Sequence, residues 1–414
     1  MVLLSFIHKP EELKMQVGVI GLGKLGLPLA LCLAEVGYQV IGFDKNVALI
    51  NSLNNKTFFT HEPYVMKFLE DPNVQEKIEY SESLTPLRNC KIIYIIVPTP
   101  TNSKGWFDSE YVEIAIEELL GVWNINHEEK TVVIVSTVMP GTCQIIARQQ
   151  LEGSNVNLLY SPEFIALGTV VNNLKKPDAI LVGCSREADS KTHLEIQRRL
   201  SGDIAVSILS WEEAEVVKLL VNCYVTMKIS FANFIGEICD VLPGANPKKI
   251  AGALGIDSRI GGKYLNPGLG YAGPCFPRDN RALSTWSLEM GLNADLAIAT
   301  HSINSRQPSV TLERVVKLLG KESFVLIIGL VYKPRTEVLE QSQSLELARN
   351  LKTKGHFVSI FDPFVSHKDK SDLKADFRFL DTLSECEGFE LIVISPGFET
   401  YTQDMSPDQK FYRF

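Results

Sequence analysis

The sequence predicts an α/β protein with two doubly wound parallel sheets joined by a long central helix. Three observations predict it. Short apolar runs alternate with helical stretches through the first half of the chain. A segment from 211 to 242 keeps helical spacing with no Gly or Pro before Gly236. Strand-like and helical runs then return from 324 onward. Such alternation is what parallel strands connected by helices require.

The elements follow in order. "QVGVIG" (16–21) is a short apolar strand, followed by a glycine turn, the helix "LPLALCLAEVG" ending at Gly37, and the strand "QVIGFD". That is a βαβ unit. Further strands are expected at "KIIYIIVP" (91–98), "TVVIVST" (131–137) and "NLLYSPEF" (157–164). The segment starting "WEEAEVVKLL" would make a helix roughly 40 Å long at 1.5 Å per residue. A helix this long and apolar is usually a domain connector or an oligomer core. "RDNRALSTWSLEM" reads as a helix opened by Pro277, a residue type favoured at the first helical position. The last third holds the strand "FVLIIGLVYKP" (324–334), the helix "SLELARNLKTKG", and the strands "FVSIFDP" and "ELIVIS".

Composition narrows the function. The chain has 414 residues, 45% hydrophobic and 22% charged, as in ordinary globular proteins. A net charge of −8 disfavours a nucleic-acid partner. No early basic-then-apolar signal and no bilayer-length apolar run is read, so no membrane partner is expected. The eight cysteines form no CxxC pair and no Cys/His cluster. A reducing cytoplasmic setting without a metal or a disulfide framework is expected.

Four features carry chemistry. "GLGKLG" supplies Gly21, Gly23 and Gly26 between a strand and a helix. This is the Rossmann-like setting in which glycines give a tight turn, let a pyrophosphate approach, and pack helix on strand. Asp44 ends the second strand, where an acid accepts from ribose hydroxyls and favours NAD. The alternative is a glycine turn whose cofactor site has decayed. Cys275 lies between "GLGYAGP" and "FPRD", at a helix start beside Arg278, a setting that favours a thiolate nucleophile. The alternative is a small buried hydrophobe. Lys218 and Asn222 share a helix face at i, i+4, where together they could hold an oxyanion. The alternative is a solvated polar face.

The full set of segments resembles the UDP-glucose/GDP-mannose dehydrogenase family over nearly the whole chain. The segments are "VGVIGLGKLGLPLA", "VPTPT" (97–101), "STVMPGT" (136–142), "SPEF" (161–164), "AEVVKLLVNCYVTMKISFAN" (214–233), "DSRIGGKYLNPGLGYAGPCFPRD" (257–279) and "GLVYKP" (329–334). The resemblance implies two NAD-dependent oxidations of a sugar C6 alcohol, through an aldehyde, to a carboxylate. Cys275 would form a thiohemiacetal and then a thioester. Lys218 and Asn222 would hold the oxyanion. Asp279 and Thr137 would position a water, and Glu163 would act as base for thioester hydrolysis.

The resemblance also implies binding residues. NAD would meet Gly21, Leu22, Gly23, Lys24, Leu25, Gly26, Asp44, Pro98, Thr99, Pro100, Ser136, Thr137 and Arg278. The nucleotide sugar would meet Phe164, Ile165, Lys218, Asn222, Tyr264, Leu265, Asn266, Gly270 and Lys333. Arg259 would reach a neighbouring subunit's substrate, so a homodimer is implied, with the long helix as its core. The expected domains are 1–210 for NAD, 211–310 for helical dimerisation and the cysteine loop, and 311–414 for the nucleotide sugar.

Several positions depart from the family pattern. Leu49 stands where a Lys or Arg is usual, Leu167 where an acid precedes glycine, Arg278 for a lysine, and Glu340 for an arginine. All four are positions the family uses around NAD. Pro274 also removes a backbone donor before the cysteine. Lys24 and Arg335 are candidates to compensate. The "CFP" run favours UDP-glucose. The alternatives are GDP-mannose, another UDP-hexose, or a nucleotide-sugar-binding homologue with impaired NAD use and no catalytic role.

Overall fold

Short apolar runs become the strands of two sheets. The computed structural model describes residues 15–123, 129–403, 405 and 409–414. It divides into one unit ending at Lys218 and one running from Leu219 to Phe414.

The first unit holds an eight-stranded sheet. Its strands are β1 (Gln16–Ile20), β2 (Gln39–Phe43), β3 (Ile78–Ser81), β4 (Ile92–Ile95), β5 (Lys130–Ile134), β6 (Val156–Tyr160), β7 (Ile180–Cys184) and β8 (Val206–Leu209). They lie in the order β3-β2-β1-β4-β5-β6-β7-β8. The first six follow the strand order of dinucleotide-binding sheets. Burial on both faces explains their unbroken apolar runs. Ile92 and Tyr94 enter one core layer, and Ile93 and Ile95 enter the other. The sheet is not wholly parallel, because β7 runs antiparallel to β6. The strands β3, β7 and β8 were not expected from the sequence. The reading also carried strand ends too far: β4 stops at Ile95 and β6 at Tyr160, and the residues beyond them are loop.

The second unit holds a five-stranded parallel sheet ordered β11-β10-β9-β12-β13. Its strands are β9 (Phe324–Ile328), β10 (Phe357–Phe361), β11 (Arg378–Phe379), β12 (Leu391–Ile394) and β13 (Phe411–Arg413). The expected second α/β half is therefore present, and β11 and β13 extend it.

The long helix spans Trp211–Val241, 31 residues. One expectation fails here. By length and composition this helix is long and apolar enough to cross a membrane. Its inward face nevertheless buries polar groups with protein partners. Ser230 Oγ donates to the Thr300 carbonyl of another helix at 3.0 Å, whereas Thr226 Oγ1 turns back to the Cys223 carbonyl of its own helix at 2.8 Å. Buried hydroxyls bonded to neighbouring protein are the pattern of a core helix. The cysteine helix spans Phe276–Glu289, so Pro277 occupies its second position rather than its first.

Candidate active site

In the first unit every candidate residue except Lys218 sits at the carboxyl ends of the strands, where open α/β sheets bind ligands. Gly21 follows β1 with φ +93°, and a Cβ there would run into the Ile96 carbonyl oxygen. A Cβ at Gly26 would overlap the Gly21 carbonyl oxygen, so only glycine lets the first helix start against the strand. Gly23 differs, because nothing lies within 4 Å of the position its Cβ would take. The helix Gly26–Glu35 has no side-chain cap; in its first turn Leu27 and Leu29 donate to the Gly23 and Leu25 carbonyls and Pro28 has no N–H, so the helix dipole rather than a row of free amides would favour an anion there. Asp44 steadies the loop: its Oδ2 accepts from the Leu22 N–H at 2.7 Å and its Oδ1 from the Asn46 N–H at 2.8 Å. Each oxygen keeps a further lone pair for a ribose hydroxyl. This open cradle, uncapped helix and acid fit NAD.

The loops after β4 and β5 are tied together. Thr99 Oγ1 donates to the Thr137 carbonyl at 2.7 Å, and Ser136 Oγ to the Val97 carbonyl at 2.7 Å. Pro98 and Pro100 are exposed on either side of Thr99, and Thr137 is half-buried. Glu215, fully buried on the long helix, accepts from the Gly141 and Cys143 N–H groups at 2.6 and 2.8 Å. It pins the "STVMPGT" turn, and the sequence reading missed it.

The loop after β6 carries Glu163. Desolvation pushes its carboxyl up to about 7, opposed by the Lys218 ammonium. Lys218 Nζ donates to the Glu163 carbonyl at 2.6 Å and stands 4.8 Å from the centre of the Phe164 ring. Ile165 and Leu167 are half-buried and pack against the core. Behind the loop lies a buried chain that the sequence did not suggest. Ser161 Oγ donates to the Leu181 carbonyl at 2.9 Å, so it must accept from His193 Nε2 at 2.9 Å. His193 Nδ1 then accepts from the Tyr94 hydroxyl at 3.1 Å. Burial drives the His193 pKa down to about 3, which keeps the ring neutral.

In the second unit Cys275 is the helix-start residue and is exposed. Five other cysteines are buried and two are half-buried, and none is in a disulfide. Burial pushes the thiols of Cys32, Cys90 and Cys223 up to about 12. Those are inert core cysteines. Asp279 closes the first turn, its N–H donating to the Cys275 carbonyl at 2.8 Å. Asp279 is buried, receives Asn222 Nδ2 at 2.7 Å, and pairs with the Arg278 guanidinium at 3.3 Å.

Within this unit a cleft of about 620 Å³ is lined by Tyr264, Asn266, Gly270, Tyr332, Gln343 and Ser395 among others. Tyr264 holds a left-handed backbone, φ +62°. Leu265 is not on the cleft as expected. It is buried with Ala232 and Ala251 in a small apolar cluster that anchors the loop. Lys333 is half-buried next to Tyr332. Arg259 is exposed and paired bidentately with Asp257.

The departing positions have structural counterparts. Leu49 fills the edge of the first core, as Leu167 does. Glu340 and Arg335 are exposed, and the Glu340 carbonyl accepts from the Gly273 N–H at 3.1 Å. Lys24 is exposed in the glycine loop.

Sheet order, glycine loop and the acid after β2 put the chain among the NAD-dependent dehydrogenases. More particularly, it belongs to the UDP-glucose/GDP-mannose dehydrogenase family. The family's NAD binding domain matches residues 15–201, its central domain 212–306 and its UDP binding domain 326–410. A UDP-glucose 6-dehydrogenase of Rickettsia bellii is 28% identical over 395 residues, 94% of this chain and 90% of the relative. A putative UDP-glucose 6-dehydrogenase of Bacillus subtilis is 31% identical over 359 residues, 84% of this chain and 82% of the relative. The structure of a UDP-glucose dehydrogenase from the hyperthermophilic archaeon Pyrobaculum islandicum superposes with TM-score 0.88 at 26% identity, covering 99% of this chain and 96% of the other.

Proposed function

We propose that this chain oxidises the C6 alcohol of UDP-glucose to the carboxylate in two NAD-linked steps through a covalent bond to Cys275. The observation that carries the reading is the exposed Cys275 thiol opening the helix that also bears the buried, hydrogen-bonded Asp279. Relatives named as UDP-glucose 6-dehydrogenases support the choice of sugar.

NAD, when bound at the glycine loop, supplies the hydride acceptor for each oxidation. In the first, the C6 hydroxyl loses its proton to a water held by Asp279 and Thr137, and a hydride leaves C6. Lys218 and Asn222 hold the developing oxyanion. The Cys275 sulfur then adds to the aldehyde carbon, and the oxygen takes a proton to give a thiohemiacetal. That species still carries a hydride on C6, and its loss together with the hydroxyl proton leaves a thioester. Glu163 takes a proton from water as the water attacks the thioester carbon. The C–S bond breaks and the thiolate returns.

The reading extends to organisation. A division into 1–210, 211–310 and 311–414 is supported by the ranges of the three matching family domains. A homodimer built on the long helix is supported by an exposed apolar stripe: Leu220, Tyr224, Phe231, Phe234, Ile238 and Val241 recur at three-, four- or seven-residue steps. Arg259 would face the partner's substrate. A cytoplasmic setting suits a reaction that needs Cys275 reduced.

The test is an NADH-production screen over UDP- and GDP-sugars. UDP-glucose should yield two NADH per sugar acid. Cys275→Ala should form no acid, and Cys275→Ser should accumulate a covalent adduct. Tight UDP-glucose binding with no detectable NAD binding in calorimetry would overturn the enzyme reading.

A further inference from the structure

The loop Gly268–Tyr271 is gripped by four carboxamides. Asn233 Oδ1 accepts from the Gly268 N–H at 2.9 Å, and its Nδ2 donates to the Leu269 carbonyl at 3.3 Å. Gln307 Nε2 donates to the Gly268 carbonyl at 2.6 Å. Gln343 Oε1 accepts from the Gly270 N–H at 2.6 Å. Asn304 Oδ1 accepts from the Tyr271 N–H at 2.8 Å while its Nδ2 donates to the Tyr271 carbonyl at 2.9 Å. All four side chains are buried, at 7% exposure or less.

The grip has one orientation. Turning either Asn304 or Gln343 over would set an NH₂ against a backbone N–H. Gln343 Nε2 also donates to the Asn304 carbonyl at 3.3 Å, which links the two amides. They press so closely on residue 270 that a Cβ there would collide with Asn304 Oδ1 and Gln343 Nε2. Gly270 is therefore a glycine because the protein's own amides occupy that space. Its N–H is engaged by Gln343 rather than left for a ligand. Of the four amides, Gln343 alone also lines the cleft.

We propose that Gln343, acting with Asn304, is a positioning residue that fixes the Gly270–Tyr271 backbone in the shape that receives a nucleoside diphosphate, and so sets affinity for the nucleotide sugar. The inference rests on the nucleotide-sugar reading above. Without the Gln343 acceptor the Gly270 N–H loses its partner at the cleft wall, and the loop has to reorder each time a ligand binds.

Gln343→Met tests this, since it keeps length and apolar volume but removes both hydrogen-bonding groups. UDP and UDP-glucose are titrated calorimetrically into wild type and variant, with NAD affinity and melting temperature as controls for folding. Kd for UDP and KM for UDP-glucose should rise about tenfold or more, with kcat within about twofold and NAD affinity unchanged. A folded variant with wild-type UDP affinity overturns the positioning role while leaving the nucleotide-sugar reading intact. Absence of UDP and UDP-glucose binding by wild type overturns that reading and the inference with it. Should Gln343→Met not fold, a second variant carries the same test. Gln343→Ala serves in its place: it removes the same acceptor for Gly270 without adding charge to the cleft, so raised UDP Kd supports the role and unchanged Kd overturns it.

Discussion

At Glu163 desolvation and a nearby ammonium compete over one proton. Desolvation wins and sets the carboxyl at about 7. Only the ionised form can accept a proton, so thioester hydrolysis should speed up as pH rises through about 7. Glu163→Gln should slow that step by about 10²–10⁴-fold and abolish the rise, with the thioester trapped in acid-quench experiments. His193 poses the opposite case. Its pKa falls from the usual 6.5 to about 3, because burial disfavours the charged ring. The unfolded chain binds this proton below about pH 6.5 and the folded one does not. Its contribution is therefore intact above 6.5 and lost as pH falls toward 3, with a slope of up to about 1.4 kcal/mol per pH unit. Urea unfolding of His193→Gln between pH 4.5 and 7 should show an acid slope shallower by one proton. An unchanged slope would refute the buried-neutral assignment.

Among the elements, the glycine loop separates folding from binding. Gly26→Ala places a methyl on the Gly21 carbonyl and should cost about 1–3 kcal/mol of stability, read as a lower melting temperature. Gly23→Ala meets open space and should leave the melting temperature unchanged. It should nevertheless weaken NAD binding by tenfold or more in calorimetry, because the methyl points where a pyrophosphate would lie. Equal losses of stability in both variants would contradict the assignment. This division was only half legible in the sequence. The pattern named three glycines, but which of them face protein and which faces open space depends on Ile96 and Gly21 carbonyls that the backbone brings there. "GLGYAG" shows the same limit. Gly270 was expected to meet the nucleotide sugar, yet it makes room for Gln343 and Asn304, which lie far along the chain.

For the whole molecule, the apolar stripe of the long helix makes the testable claim. Phe231→Asp together with Tyr224→Asp should give a folded monomer by sedimentation, because paired charges desolvate poorly at an apolar interface. A dimer unchanged by both substitutions would place the interface elsewhere. The small strands show where legibility in the fold ran out. "IEYS" and "FYR" are too short to mark a strand by pattern, and they become β3 and β13 because a sheet edge offers them hydrogen bonds.

The sequence by itself determined the α/β class, the βαβ start and the long helix, and it named the candidate site residues. Each rests on local signals: apolar period, glycine spacing, and residue type at a helix start. Tertiary structure alone decided the antiparallel turn of β7, the raised proton affinity of Glu163, the neutral His193 and the carboxamide grip on Gly270. These depend on burial and on partners distant in sequence. Cys275 belongs to both accounts: its motif marked it as chemical, and its exposure among seven more sheltered cysteines set it apart.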